Sequence, residues 1–233
     1  HGNMNVINAI KQSCDVYFYE ISKKLGIDKI ASVAKDFGLG KTYDIFLPNQ
    51  KEGIIPNKEW KKNNIGENWY AGETLISGIG QGFVLTNPLQ LAVMTSIIAS
   101  NGKKIRPTIL KNDHKDFEED KKYTKEIKII KEAMFKVVNE DRGTAFASRL
   151  DNAKFAGKTG TSQVKRITIL ERESDDFRKK EQEWKNRDHA LFVGYSPYDN
   201  PKYSISVVIE HGGSGASTAA PLAKQVFNYI NKL

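Results

Sequence analysis

The chain has 233 residues, 39% of them apolar and 27% charged, a balance that supports a sizeable core and excludes a disordered or collagen-like chain. Thirty-six Lys and Arg against 28 Asp and Glu leave a formal charge of +8, which suits anionic surroundings and equally serves plain solubility. The cations are scattered among acids with no basic-aromatic reading motif, so no nucleic acid partner is expected, and a nucleic-acid binder would rest on charge alone.

Only one cysteine is present, Cys14, so no internal disulfide can form. No apolar run approaches the roughly 18–20 residues of a membrane span. The sequence opens at His1 rather than Met and reads as a fragment, with any anchor expected upstream.

Taken in order, Asn5–Leu25 has apolar residues at helical spacing up to Gly26, with Ser13 and Asp15 as candidate interruptions because both compete for backbone hydrogen bonds. Asp28–Phe37 predicts a second helix closed by Gly38, and Leu39–Tyr70, rich in Gly, Pro, Asn and Trp, reads as loop. Asn87–Ser100 predicts a helix capped by Asn87, with Pro88 in its first turn and Asn101-Gly102 after it. Lys125–Asn139 is another, with Ile127, Ile130, Met134, Val137 and Val138 on one face.

The pattern then changes. Lys154–Val164, His189–Ser196 and Tyr203–Glu210 read as strands, the last two forming a hairpin through Pro-Tyr-Asp-Asn-Pro. Lys165–Asp188 is dense in charge and reads as a solvated excursion, and Ser217–Leu233 as a closing amphipathic helix. Helices first, then an antiparallel sheet, then a covering helix predict an α+β fold, helical over about residues 1–150 and sheet plus helix over about 151–233. No internal repeat is present.

Within the first strand, Lys158-Thr159-Gly160-Thr161 combines an ammonium, two hydroxyls and a glycine. Alternation puts Lys158 and Gly160 on one face and Thr159 and Thr161 on the other. Glycine inside a strand often marks close approach by another backbone, and the neighbouring donors suit a ligand carboxylate. A solvated Lys beside a Gly turn is the plain alternative.

Upstream, Ser13-Cys14-Asp15 is common by itself, but paired with a late Lys-Thr-Gly it has the layout of penicilloyl serine transferases. HGNMNVINAIKQSCDVYFYEISKKLGIDKI, WYAGETLISGIGQGFVLTNPLQLA, RGTA, GKTGTSQV, RDHALFVGYSP and EHGGSG span nearly the whole chain in one order. Together they resemble class B penicillin-binding proteins, in particular the penicillin-binding protein 2 branch of elongation-type peptidoglycan DD-transpeptidases. The resemblance implies the penicilloyl serine transferase fold, here only the C-terminal part of the transpeptidase domain. It also implies a reaction: a Ser-x-x-Lys serine is acylated by a D-Ala-D-Ala stem peptide, then a neighbouring stem's amine takes the acyl group.

By the same resemblance, Ser13 relays protons, Lys158 holds Ser13 and attracts the substrate carboxylate, and Thr159 and Thr161 supply hydroxyls to it. The Thr161 N–H is an oxyanion donor, and Gly160 leaves room for the substrate strand. Asp15 stands where most relatives carry Asn; it accepts but cannot donate, although the penicillin-binding protein 2 branch carries such an Asp. Implied partners are stem peptides, β-lactams and a SEDS-type glycan polymerase. The implied location is the bacterial inner membrane, the catalytic domain facing the periplasm and the anchor outside this chain.

The nucleophile is not found. Ser32–Lys35, Ser100–Lys103 and Ser162–Lys165 have the Ser-x-x-Lys spacing but follow Ser13, whereas the family places that motif first. The expectation is a nucleophile upstream of His1 and an inactive fragment. No cofactor is expected for catalysis. His1 and Cys14 are zinc-type ligands, and some relatives hold a structural metal near this helix, so an incomplete zinc site is a candidate. Gly78–Gly82 (GIGQG) lacks the GxGxxG spacing of a nucleotide loop and reads as a turn passing close behind the active site. The readings kept open beside the transpeptidase are a β-lactam sensor, against which GIGQG and RGTA argue, and a non-catalytic scaffold of the elongation complex.

Overall fold

The computed structural model describes residues 1–111, 118–120, 122–165 and 183–232. Where one helix is expected over Asn5–Leu25, two are found: α1 (Val6–Lys11), capped by the Asn5 side chain, and α2 (Asp15–Leu25), which follows a break at Ser13. Gly26 turns directly into α3 (Ile27–Asp36). The expected loop over Leu39–Tyr70 holds a helix, α4 (Lys58–Ile65), capped by Asn57 and ended by left-handed Gly66.

The α4 sequence, KEWKKNNI, has no apolar stripe, so its periodicity is silent. It is anchored by a charge instead. Lys61 is 1% exposed and its Nζ meets Glu73 at 2.5 Å and Glu67 at 3.4 Å. The ammonium also lies over the Tyr70 ring, 4.2 Å from its centroid. Trp60, also on α4, packs against the Phe83 ring at a tilt, the centroids 5.4 Å apart.

Next come α5 (Ala71–Ser77) and α6 (Pro88–Ala99). The predicted cap of α6 is present: Asn87 Oδ1 accepts from the Gln90 N–H at 2.9 Å, with Pro88 at the first position. A two-residue ribbon, β1 (Lys103–Lys104) with β2 (Glu118–Glu119), precedes α7 (Thr124–Asn139).

The sheet is β3 (Ala156–Ser162), β4 (His189–Ser196) and β5 (Tyr203–Ile209), antiparallel in that order. Residues 166–182, most of the expected charged excursion, lie outside the described residues; the part that follows contains a 3-10 turn at Trp184–Asn186. The closing helix begins two residues before the expected Ser217, with π geometry at Gly215–Ala219, and continues as α8 (Ala220–Ile230).

Register sorts the two faces of the sheet. Thr159 pairs with Phe192, which pairs with Val207; Phe192 packs with Phe155 and Phe227 of α8, all three fully buried. Each such ring contributes about 1.5–3 kcal/mol by burial. Lys158 pairs with Val193 and Ser206, while Ala156 and Tyr195 pack with Ile98 of α6 and Met134 of α7. The fold is α+β, with helices on both faces of an antiparallel sheet. No helix among the described residues is long and apolar enough to cross a membrane.

Candidate active site

Ser13 is held by the way α1 ends. The Ser13 N–H donates to Ile10 O at 3.3 Å and the Cys14 N–H to Ala9 O at 2.9 Å. This double closure stops a helix around one left-handed residue, and Ser13 is that residue, with φ 51°. Glycine or asparagine is usual there. A side chain in this conformation costs about 1–2 kcal/mol, so the position retains its hydroxyl at the expense of backbone strain.

That hydroxyl accepts from Lys158 Nζ on β3, which also donates to Thr159 O at 2.8 Å. Burial pushes the Lys158 ammonium down to about 8, and the nearby Asp15 carboxylate acts in the opposite direction. The break between α1 and α2, the start of α2 and the middle of β3 thus put a hydroxyl, a carboxylate and a readily deprotonated amine in one place. Because Lys158 fills an acceptor position of the Ser13 oxygen, the Ser13 hydrogen is free to point elsewhere.

Thr159 and Thr161 differ in availability. The Thr159 hydroxyl shares a 2.7 Å hydrogen bond with that of Thr144, whereas Thr161 is exposed, its Oγ1 accepting a long 3.4 Å bond from the Gly215 N–H. The backbone approaching Gly160 is that of Gly215: a Cβ on Gly215 would lie 2.2 Å from Gly160 O, while one on Gly160 would meet only Leu191 Cβ, at 3.3 Å.

Sequence reasoning gave no individual role to Thr144 or Gln81. The Thr144 N–H donates to Lys11 O at 3.2 Å, so one residue ties the end of α1, just before Ser13, to the Lys-Thr-Gly strand. Gln81 Nε2 donates to Thr161 O at 2.9 Å and Oε1 accepts from the Gln163 N–H at 3.4 Å. Both lie in stretches marked by the resemblance, RGTA and GIGQG, but no periodicity or spacing reveals which strand they touch.

The candidate zinc site does not assemble. Cys14 is buried at the start of α2, His1 is exposed, and α1 lies between them in the chain. Among the described residues no group of three or more His, Cys, Asp or Glu could hold a metal, so the residues present do not fit a structural zinc. Of the other Ser-x-x-Lys serines, Ser32 is exposed on α3, Ser100 is bonded to Ile97 O at the end of α6, and Ser162 ends β3.

The family described as the penicillin-binding protein transpeptidase domain matches residues 1–228. This chain belongs to that family. Over 98% of its length it is 36% identical to the peptidoglycan D,D-transpeptidase MrdA of Haemophilus influenzae, of which it spans 36%. The penicillin-binding protein 2 of Helicobacter pylori, solved in complex with MreC, superposes on the whole chain with a TM-score of 0.88 at 32% identity, the chain covering 41% of it. A chain of a peptidoglycan synthase complex, solved to show how polymerization and crosslinking are coordinated, matches over 96% of this chain at TM-score 0.77 and 31% identity, with 37% of that chain covered. The transpeptidase domain described here is thus of the penicillin-binding protein 2 and MrdA type, and spans well under half the length of these relatives.

Proposed function

We propose that these residues form the substrate-side half of a serine-type transpeptidase site that cross-links peptidoglycan stem peptides and is inhibited by β-lactams. The observation that carries this reading is the Lys158–Ser13 contact, held by a strained Ser13 and a buried amine. The acylated serine is supplied by a Ser-x-x-Lys segment outside the 233 residues, which by themselves are inactive.

In the proposed reaction, that serine gives its proton to the Lys of its own Ser-x-x-Lys segment as its oxygen attacks the penultimate D-Ala carbonyl, and the peptide C–N bond breaks. The departing D-Ala amine takes the Ser13 proton, and Ser13 is reprotonated by that Lys, which returns to neutral. An acceptor amine then attacks the ester and gives up one proton, which passes back to the serine oxygen as the C–O bond breaks, forming the new amide and returning the serine. Lys158, mostly protonated at neutral pH, and the Thr161 hydroxyl hold the donor carboxylate; the Thr161 N–H stabilises the oxyanion. Asp15 keeps the Lys158 cation protonated. No cofactor takes part.

MreC binding by the Helicobacter relative and the synthase complex of the other neighbour support membership of an elongation complex beside a SEDS-type polymerase. Location at the inner membrane, with this domain in the periplasm, is part of the same proposal.

Incubating the intact protein with benzylpenicillin and mapping the adduct by peptide mass spectrometry tests it. An adduct on a Ser-x-x-Lys serine outside these residues is the expected result. An adduct on Ser32, Ser100 or Ser162 would refute the assignment of the nucleophile, and no adduct would favour a scaffold.

A further inference from the structure

The place of Ser13 is set by α1, and α1 is too short to set itself. Six residues make an isolated helix marginal at best, so the direction of its last turn follows from what grips it. Ala9 is fully buried, and Ile10 packs against the core of Phe155, Phe192 and Phe227. Apolar packing of this kind is non-directional. It seats the helix and leaves the orientation of its end to polar contacts.

Lys11, the last residue of α1, is gripped twice by one short segment. Its carbonyl accepts the Thr144 N–H at 3.2 Å, and its ammonium meets Glu140 Oε2 at 3.0 Å. The Lys11 side chain is only 13% exposed. Its hydrogen bond is the largest of the influences that hold the Glu140 carboxyl below the ordinary range. Glu140 is also bridged by Lys136, at 3.1 Å.

The gripping segment is folded back on the end of α7. The Gly143 N–H donates to Glu140 O and the Ala145 N–H to Val137 O, both at 3.0 Å. Arg142 is left-handed, at φ 62°, and a Cβ on Gly143 would press on Lys136 O and Val137 O. Val137 and Val138 of α7 are fully buried beneath it. The RGTA stretch is thus a fixed corner that holds the end of α1 on one side, while the Thr144 hydroxyl reaches Thr159, next to Lys158, on the other.

We propose that Lys11 is a positioning residue: its ammonium, braced on Glu140, fixes the angle at which α1 hands the chain to Ser13 and so keeps the Ser13 hydroxyl on Lys158. This rests on the acyl-transfer reading above. Without the ammonium, the Thr144 N–H remains as the tether, and one bond allows a pivot that two prevent. Ser13, two residues on, is strained at φ 51°, so a loosened turn relaxes away from the geometry that presents the hydroxyl.

The test uses the intact protein and benzylpenicillin, whose ring nitrogen is the leaving group that takes the Ser13 proton. Rapid mixing over a range of penicillin concentrations separates the dissociation constant from the first-order acylation constant, counted per acylable site. In Lys11→Met, which keeps the aliphatic stem, the acylation constant should fall about three- to thirtyfold, a part of the roughly 10²-fold that general acid-base assistance supplies. The dissociation constant should stay within about twofold, since this reads binding rather than proton transfer. Glu140→Gln should do the same, and the double variant should lose no more than the worse single one, because both remove one interaction. Losses that multiply, or that appear only in the dissociation constant or in the number of acylable sites, would mark a merely structural pair and overturn the proposal. Hydrogen exchange at the Cys14 and Thr144 amides of the unacylated protein reads the brace without any chemistry. It should quicken in both single variants; unchanged exchange overturns the brace. Quickened exchange with an unchanged acylation constant would overturn the positioning role and leave the acyl-transfer reading standing. Wild-type protein that takes up no penicillin would overturn that reading and the positioning role with it.

Discussion

Lys158 on β3 and Ser13 between α1 and α2, 145 residues apart in sequence, are joined by a hydrogen bond from the ammonium to the hydroxyl. The amine is held near pKa 8 mainly by burial. If this cation receives the donor carboxylate, affinity falls as pH rises through 8, because deprotonation removes the charge. The expected outcome is an alkaline limb near pH 8 in kcat/KM for acylation, with about a tenfold loss by pH 9. A flat profile from pH 7 to 9.5 would remove Lys158 from carboxylate binding. The stability sign is opposite. The folded pKa lies below the ordinary lysine value of about 10.4, so between the two the unfolded chain binds more protons and this group's contribution to stability rises with pH.

Asp15 supplies the counter-charge that raises the Lys158 pKa against burial. Asp15→Asn removes it, so Lys158 should deprotonate more readily and the alkaline limb should move to lower pH. The Asn also gains a donor that Asp lacks. Acylation profiles of the two proteins over pH 6–10 decide the matter: a limb that stays in place means the carboxylate does not govern the amine.

Ser13 separates function from stability at one position. Its φ of 51° suits glycine. Ser13→Gly loses the hydroxyl and relieves the backbone, whereas Ser13→Ala loses the hydroxyl and keeps the strain. Both should lose acylation by about 10²-fold or more, the scale of general acid-base assistance. The Gly variant should be more stable than the Ala variant by about 1 kcal/mol in denaturant unfolding. Equal stabilities would mean that the turn is not strained.

How far the sequence could be read depended on which force held each element. α6 was legible because Asn87, Pro88 and Asn101-Gly102 mark its ends chemically, and β4 and β5 because β-branched and aromatic runs flank a Pro-Tyr-Asp-Asn-Pro turn. α4 was not, because a buried Lys61 ion pair anchors it rather than an apolar stripe. The break at Ser13 was visible as a competing side chain, but its left-handed geometry was not. Ser13 and Lys158 were singled out together through family resemblance, since no local pattern links residues so far apart. Gln81 and Thr144 act by touching β3 from other elements, and side-chain contacts across a fold leave no period in the sequence.

Gly160 and Gly215 face each other for different reasons, and their alanine variants should part accordingly. A Cβ on Gly215 would lie 2.2 Å from Gly160 O and 2.4 Å from Leu191 O, so two strands of backbone would have to move. Gly215→Ala should cost about 3 kcal/mol, at the upper end for overpacking, and lower Tm visibly. A Cβ on Gly160 meets only Leu191 Cβ, at 3.3 Å, a contact that a small side-chain shift relieves. Gly160→Ala should therefore keep its stability within about 1 kcal/mol. Its methyl, however, lies on the same face of β3 as Lys158, the cation proposed to hold the donor carboxylate. Acylation by benzylpenicillin should fall at least tenfold in this stable variant, a loss of about 1.4 kcal/mol in transition-state stabilisation. A Gly160→Ala protein that folds and acylates normally would show that the glycine serves the Gly215 contact alone and that the donor does not approach this backbone.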